Sequence, residues 1–178
     1  LLARLWPVLS GTDAWFWIVG GAGLATLLLG SYVAMFQNDL KGLLAYSTIS
    51  HLGLITALCG MDTPLAFVAA IFHVVNHAVF KASLFMAAGI VDHETGTRDM
   101  RKLGGLRHAM PITATLAIVA SLAMAGVPLL NGFLSKEMFF AETLAARTGS
   151  RLDLIPPVIV VAASAFSVVY SLRFLGGV

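Results

Sequence analysis

Three titratable side chains recur at a fixed interval inside an apolar stretch of this sequence. His73, His77 and Lys81 lie four residues apart within residues 71–91, IFHVVNHAVFKASLFMAAGIV. Residues four apart lie on one face of an α-helix, so these three predict a polar stripe about 12 Å long. The stretch is long enough to span a bilayer, where a charged side chain costs at least about 2.5 kcal/mol. Side chains kept at that cost usually face a bundle interior, a partner or a water path.

These three groups are able to carry protons. A buried lysine loses the hydration that stabilises its charged form, so it can release and regain a proton under physiological conditions. Histidine titrates near neutral pH without any perturbation. With water between them, His73, His77 and Lys81 therefore predict a proton pathway. The structural alternative is that Lys81 extends towards the membrane interface while the histidines hydrogen-bond neighbouring helices.

The composition indicates a polytopic membrane protein. Of 178 residues, 58% are hydrophobic and 11% are charged, against about 25% charged residues in soluble domains. The mean hydropathy is +0.90. The net charge of +2 is too small to suggest a nucleic-acid partner, and the single cysteine, Cys59, excludes an internal disulfide framework. Because the chain opens and closes inside apolar sequence, we expect it to be a piece of a longer membrane protein.

The predicted fold class is all-α, a transmembrane helix bundle of five spans. The apolar runs place these spans at about residues 15–36, 42–60, 65–91, 112–146 and 155–175. Glycines in the first span would allow close helix packing. The polar segment 92–110 predicts a solvated loop with a short surface helix, and residues 147–153 predict a polar turn.

The fourth span predicts a discontinuous helix. It is too long for one straight crossing of about 20 residues, and it contains the sequence GVPLLNG at residues 126–132. Pro128 removes a helical hydrogen bond, and Gly126 and Gly132 loosen the backbone on either side. Unwound backbone at membrane depth is tolerated only where it is buried or lines a cavity.

The basic residues predict an orientation. With five crossings, one side of the membrane carries six basic residues: Lys41, Arg98, Arg101, Lys102, Arg107 and Arg173. The other side carries Arg4, Arg147 and Arg151. The positive-inside rule makes the first side cytoplasmic, on the assumption that the broken segment crosses once.

A second lysine follows the predicted break. The ends of half-helices expose unpaired backbone groups and dipole ends, so Lys136 is a candidate proton site. The alternative is that Lys136 pairs with Glu137 or Glu142 at an interface. Successive residues point about 100° apart on a helix, so Glu137 is expected to face elsewhere than Lys136.

Three further polar residues are secondary candidates. His51 lies in the middle of the second span and could hydrogen-bond the stripe or serve only in packing. Ser47, one turn earlier, could hold a water molecule. Asn76 lies off the centre line of the stripe, and an interhelical hydrogen bond is an equal alternative for it.

Metal and enzyme chemistry are poorly supported by the sequence. The spacing of His73 and His77 could suit zinc, but no third ligand is nearby and no glutamate lies between them. There is no glycine-rich phosphate loop, nucleophile elbow or redox cysteine pair. We therefore expect no catalytic residues, no metal and no cofactor.

Several segments together resemble a known family. They are NDLKGLLAYSTISHLGL at 38–54, HVVNHAVFKASLFMAAG at 73–89, DMRKLGGL at 99–106 and GVPLLNGFLSKE at 126–137. This combination resembles the antiporter-like subunits of respiratory complex I and of Mrp-type multisubunit Na⁺/H⁺ antiporters. The segments GIVDHETGTRD and NGFLSKEMFF are most similar to the large A subunit of the Mrp antiporter. The ND5/NuoL-type subunit of complex I is a close relative.

The resemblance implies a 14-helix antiporter domain built from two inverted five-helix repeats, of which this chain covers the second. By motif, Lys81 matches the lysine of the central relay, His73 and His77 match its flanking histidines, and Lys136 matches the lysine of the broken helix. Lys41 matches a lysine near the cytoplasmic mouth. His51 departs from the pattern, because relatives often have glutamine there.

The leading hypothesis is a proton-translocating subunit of a multisubunit Na⁺/H⁺ antiporter in a prokaryotic plasma membrane, using a buried Lys/His relay. Its partners would be other antiporter subunits, the lipid bilayer, protons and Na⁺. The alternatives are a proton-pumping subunit of complex I or a related redox complex, hence part of a translocase, and a purely structural subunit. The spans offer few carboxylates, so we expect Na⁺ to be handled elsewhere in the complex.

Overall fold

The fold is a bundle of α-helices. The computed structural model describes residues 1–145 and 154–177. The helices are α1 (Leu2–Leu9), α2 (Asp13–Trp15), α3 (Gly21–Phe36), α4 (Leu40–Gly60), α5 (Pro64–Thr95), α6 (Leu106–Ala109), α7 (Pro111–Ala125), α8 (Asn131–Ala145) and α9 (Ile155–Gly176). A π-helical turn at Phe16–Gly20 joins α2 to α3. The predicted polar turn at residues 147–153 lies outside the described residues.

Four of the described helices are long and apolar enough to cross a membrane: Asp13–Phe36, Leu40–Gly60, Pro64–Thr95 and Ile155–Gly176. Helix α7 is apolar but has only 15 residues, and α8 also has 15. The all-helical transmembrane class is therefore confirmed. A fifth crossing, made by α7 and α8 together, stays a prediction.

Local sequence determines where the long helices begin and end. The Asp39 carboxylate accepts the Gly42 backbone N–H at 2.7 Å and starts α4, as expected of an N-cap. Thr63 caps α5 in the same way, with Pro64 in the first turn. Helix α5 ends at Thr95, and the residue after it, Gly96, has a φ of +66° that suits glycine. It therefore extends one turn beyond the predicted residues 65–91.

Helices α3 and α4 pack closely because glycines face each other across their contact. A Cβ on Gly53 would lie 2.4 Å from the Leu27 backbone nitrogen, and one on Gly23 would lie 2.3 Å from the Ala57 nitrogen. No larger residue fits at either position without moving backbone. The close packing expected from the glycines of the first span is thus present.

The interruption between α7 and α8 spans the residues after Ala125 and before Asn131. Gly126 and Leu129 both have positive φ, +84° and +77°, so the chain cannot continue as a helix there. A Cβ on Gly132 would lie 1.8 Å from the Ala123 carbonyl oxygen. Glycine at this position lets the first turn of α8 lie against the last turn of α7.

Helix α5 packs against α4, α7 and α8, while α9 packs against α3, α7 and α8. One apolar core cluster includes Leu44, Leu84, Met124 and Tyr170, and a second surrounds Leu58 and Phe139. The polar face of α5 is therefore enclosed by helices that come from both halves of the chain.

Candidate functional site

Lys81 lies inside the bundle and does not extend to an interface. Its side chain is 5% exposed. Its Nζ atom donates to the Leu44 carbonyl oxygen at 3.1 Å and to the Ser47 hydroxyl, both on α4. None of the ion pairs among residues 1–145 and 154–177 includes it. Ser47, a candidate for holding water, accepts directly from the lysine.

Three imidazole rings form a cluster, and one of them, His77, lies one turn before Lys81 on α5. His51 Nδ1 and His73 Nε2 are 3.0 Å apart, within hydrogen-bond distance. The His77 ring centroid lies 5.3 Å from that of His51 and 6.2 Å from that of His73. The buried His77 Nε2 atom has no hydrogen-bond partner in the part of the chain that the structure describes. We call these three residues the histidine cluster.

His51 is the central member of the histidine cluster. It reaches the cluster from α4, whereas His73 and His77 come from α5. The sequence leaves its role open, and the structure assigns it contacts to both other rings. In the described part of the chain, no group of three or more His, Cys, Asp or Glu side chains has metal-binding geometry.

Two hydroxyl groups extend the histidine cluster towards other helices. His73 Nδ1 contacts the Ser135 hydroxyl on α8. His51 Nε2 lies 3.3 Å from the Tyr170 hydroxyl on α9. Sequence reasoning missed both residues. Their only signal is a hydroxyl in an apolar helix, which is common in membrane spans and does not reveal a partner.

Lys136 faces the helix break. Its Nζ atom donates to the Ala125 carbonyl oxygen at 2.8 Å and to Ser167 Oγ at 3.1 Å. The Ala125 carbonyl is free to accept because it belongs to the last turn of α7, where carbonyls have no intrahelical partner. The interrupted helix thus supplies one of the two polar contacts of this lysine.

The alternative pairing of Lys136 with a glutamate is wrong for the described residues. Glu142 accepts the Thr63 hydroxyl instead. Glu137 is exposed and takes part in none of the described ion pairs. Both Glu137 and Lys136 border a lateral cavity of about 490 Å³ between α7, α8 and α9. Glu137, a secondary candidate, therefore lies beside the lysine without bonding to it.

Asn76 connects α5 to the start of α8 through two hydrogen bonds. Its Nδ2 atom donates to the Asn131 carbonyl oxygen at 3.3 Å, and Asn131 Nδ2 donates back to Asn76 Oδ1 at 3.3 Å. The interhelical hydrogen bond considered for Asn76 is therefore present. It holds the first residue of α8 against the helix that carries the stripe.

Basic residues gather at the end of the bundle where α4 begins. Lys41 Nζ lies 2.7 Å from Asp92 Oδ2, and Arg98 Nε lies 3.5 Å from Asp92 Oδ1. Arg173 donates to Asn38 Oδ1 at 2.9 Å. Lys41 lies six residues before Ser47 on α4, about 9 Å along the axis. Lys41 is therefore separated by less than two helical turns from Ser47, the residue that accepts from Lys81.

The loop next to this end carries its own ion pair. Arg101 Nη2 lies 2.8 Å from Asp99 Oδ2, and the Arg101 backbone N–H also donates to Asp99. The side-chain hydrogen bond from Arg101 lowers the pKa of Asp99 to about 2. Arg147 and Arg151, which the sequence assigns to the opposite end, lie outside the described residues.

Comparison with known proteins identifies the family of this chain and several relatives. Residues 1–155 match the transmembrane family described as "NADH:quinone oxidoreductase/Mrp antiporter, TM". The A/B subunit of a probable K⁺/H⁺ antiporter of Rhizobium meliloti (strain 1021) is 71% identical over all of this chain and 18% of the relative. The A subunit of a Na⁺/H⁺ antiporter of Alkalihalophilus pseudofirmus is 54% identical over 82% of this chain and 20% of the relative. The chain spans about a fifth of these relatives.

Two solved structures share the fold. The Mrp complex from Dietzia sp. DQ12-45-1b contains a chain that is 45% identical, with a TM-score of 0.92, over 98% of this chain and 19% of that chain. The membrane-bound sulfane sulfur reductase, an archaeal respiratory membrane complex, contains one that is 30% identical, with a TM-score of 0.86, over 98% of this chain and 36% of that chain.

Proposed function

Since this chain belongs to the NADH:quinone oxidoreductase/Mrp antiporter transmembrane family, we propose that it forms part of a proton-translocating subunit of a multisubunit monovalent-cation/proton antiporter. In this proposal the chain is the second of two inverted repeats, and α7 and α8 together make the fourth of its five spans. The other repeat and the other subunits of the complex are its partners, in a prokaryotic plasma membrane.

The observation that carries the proposal is a series of titratable groups within the bundle, of which His51, His73 and Lys81 are buried and His77 and Lys136 are half-buried. Lys81 lies at one end of this series, the histidine cluster in the middle, and Lys136 at the helix break. Ionisable residues at membrane depth are costly and usually functional. Lysine and histidine both change charge by binding one proton. This arrangement therefore suits stepwise proton movement better than a purely structural role.

Lys41 and Asp92 are proposed to form the cytoplasmic mouth of this path. Their ion pair is partly exposed, with 38% and 27% of the side chains accessible, so water reaches it. The basic residues at this end make it the cytoplasmic side under the positive-inside rule. A proton that enters here would reach Ser47 and Lys81 along α4.

The identity of the cation is a separate part of the proposal. One relative is named for K⁺ and another for Na⁺. Both are hard cations that prefer several oxygen ligands. The carboxylates near the break are dispersed: Glu142 bonds Thr63, and Glu137 faces the lateral cavity. We therefore propose that the cation crosses elsewhere in the complex, and a Na⁺ or K⁺ ion bound within these residues would contradict this.

The test is cation-dependent proton movement in everted vesicles that carry the full complex. Lys81→Ala should abolish proton release on addition of Na⁺ or K⁺, because no other group in the path bonds both Leu44 and Ser47. Lys102→Ala is the matched control, since Lys102 is exposed in the loop and should leave exchange unchanged. Assembly of both variants is checked by native gel. Normal exchange in Lys81→Ala would refute the proposal.

A redox-driven pump is the second candidate, favoured by the fold shared with the archaeal respiratory complex. In that case the same line of residues would carry protons, but only during electron transfer. Proton movement that requires an electron donor such as NADH or reduced ferredoxin would support this candidate. Exchange without any donor would support the antiporter.

A further inference from the structure

Helix α9 connects the histidine cluster with Lys136. His51 Nε2 lies 3.3 Å from the Tyr170 hydroxyl, and Lys136 Nζ lies 3.1 Å from Ser167 Oγ. Tyr170 and Ser167 are three residues apart on α9, and so lie about one turn apart on the same face of that helix. We propose that protons pass between His51 and Lys136 through the hydroxyl groups of Tyr170 and Ser167, an inference that rests on the proposed function. We call these two residues the α9 hydroxyl pair.

The more obvious connection, along α8, does not join the two sites. Ser135 directly precedes Lys136 and contacts His73. Successive residues on a helix point about 100° apart, and the Lys136 ammonium is directed to Ala125 and Ser167 instead. Ser135 therefore holds the His73 ring in place, whereas the α9 hydroxyl pair contacts both His51 and Lys136.

The burial of these two hydroxyls argues against a role in packing alone. Tyr170 is 0% exposed and Ser167 is 5% exposed. A buried hydroxyl without a polar partner costs free energy, so a phenylalanine and an alanine would serve packing alone at least as well. Both hydroxyls instead point to titratable nitrogen atoms on other helices.

A hydroxyl group can pass a proton because it both donates and accepts. As a proton from His51 bonds to the Tyr170 oxygen, the proton already on that oxygen moves to Ser167 Oγ. The Ser167 proton then moves to neutral Lys136, which becomes an ammonium. One O–H bond forms and one breaks at each oxygen, so both hydroxyls end neutral and reoriented. Rotation of the two O–H groups resets the pair for the next proton.

The experiment compares Tyr170→Phe, Ser167→Ala and the double variant in the full-length chain within the assembled complex. The initial rate of cation-driven proton movement in everted vesicles should fall at least about tenfold in each single variant. The double variant should be no slower than the more impaired single variant, because two residues in one series path are not additive.

Two control variants remove a hydroxyl elsewhere. Ser171→Ala removes a buried serine of α9 whose hydroxyl donates, among the described residues, to the Ser167 carbonyl oxygen. Tyr32→Phe removes the hydroxyl of a half-exposed tyrosine on α3. Both should keep the exchange rate within about twofold of the wild type, as expected for substitutions outside the path.

An unchanged rate in assembled Tyr170→Phe would overturn the inference, and so would losses that multiply in the double variant. If Tyr170→Phe fails to assemble, Ser167→Ala decides. If Ser167→Ala slows exchange and Ser167→Thr, which keeps a hydroxyl, restores it, the path is supported. A wild-type exchange rate in Ser167→Ala overturns the path. Lys81→Ala distinguishes failure of the proposed function from failure of this inference. If Lys81→Ala retains exchange, the proposed function fails. If it is inactive while Tyr170→Phe is normal, only the α9 hydroxyl pair fails.

Discussion

Substitution of Gly132 by alanine should disconnect Lys136 from its partners. A Cβ at this position would lie 1.8 Å from the Ala123 carbonyl oxygen, whereas ordinary van der Waals contact begins at 3.4 Å. The obstacle is backbone at the end of α7, so it cannot rotate away like a side chain. The start of α8 must therefore shift by about 1.6 Å relative to α7, the difference between these two distances.

That shift is large on the scale of a hydrogen bond. Lys136 is one turn further along α8, and its bonds to Ala125 and Ser167 are 2.8 Å and 3.1 Å long. Lengthening them by the same amount would give about 4.5 Å, beyond hydrogen-bond distance. Overpacking of this kind also destabilises proteins by about 1–3 kcal/mol. Gly132→Ala should thus lower both thermal stability and proton exchange.

The assay is cation-driven proton movement in everted vesicles, normalised to the amount of assembled complex, together with a thermal melt of the purified complex. Gly89→Ala is the matched control, because a Cβ there meets nothing within 4 Å in this structure. We expect Gly132→Ala to lose at least about tenfold in rate and Gly89→Ala to match the wild type. Wild-type exchange in assembled Gly132→Ala would refute the reasoning that the break positions Lys136.

Two further predictions concern residues away from the break. His51→Gln should retain part of the exchange rate and His51→Ala should lose more, because an amide can keep one hydrogen bond to His73 or Tyr170 whereas a methyl group keeps none; equal rates in the two variants, measured in the same vesicles, would contradict this. Asp99 has a lowered pKa of about 2, so its stabilising bond to Arg101 is fully present above the ordinary aspartate pKa and is lost as pH falls through about 2. Asp99→Asn should therefore speed hydrogen exchange of the loop amides near Arg101 at pH 7, with no difference expected once the pH is below 2.

Much of the fold could be predicted from local sequence. Apolar run lengths locate the spans, the four-residue interval locates the stripe of His73, His77 and Lys81, and Pro128 between two glycines locates the break. Membership of the antiporter family followed from motifs within the chain and is confirmed by comparison. These features depend on neighbours within a few turns, so helical geometry alone suffices to predict them.

The contacts that the site residues make with other helices could not be predicted from local sequence. The alternative that Lys136 pairs with a nearby glutamate is not what the structure shows, because Glu142 is engaged by Thr63, 79 residues earlier. The choice between packing and relay for His51 depended on the ring of His73 across a helix contact. Neither partner can be predicted from periodicity, since two helices can be rotated about their own axes without changing either sequence.

Sequence by itself therefore determined that this chain forms membrane helices, one of them interrupted, with a face of titratable residues. Only the tertiary structure decided which groups those residues meet. Tyr170 reaches His51 across 119 residues of chain, and Lys81 reaches Ser47 across 34. The physical reason is that a helix face is set by local hydrogen bonds, whereas its partner is set by close packing of several helices at once.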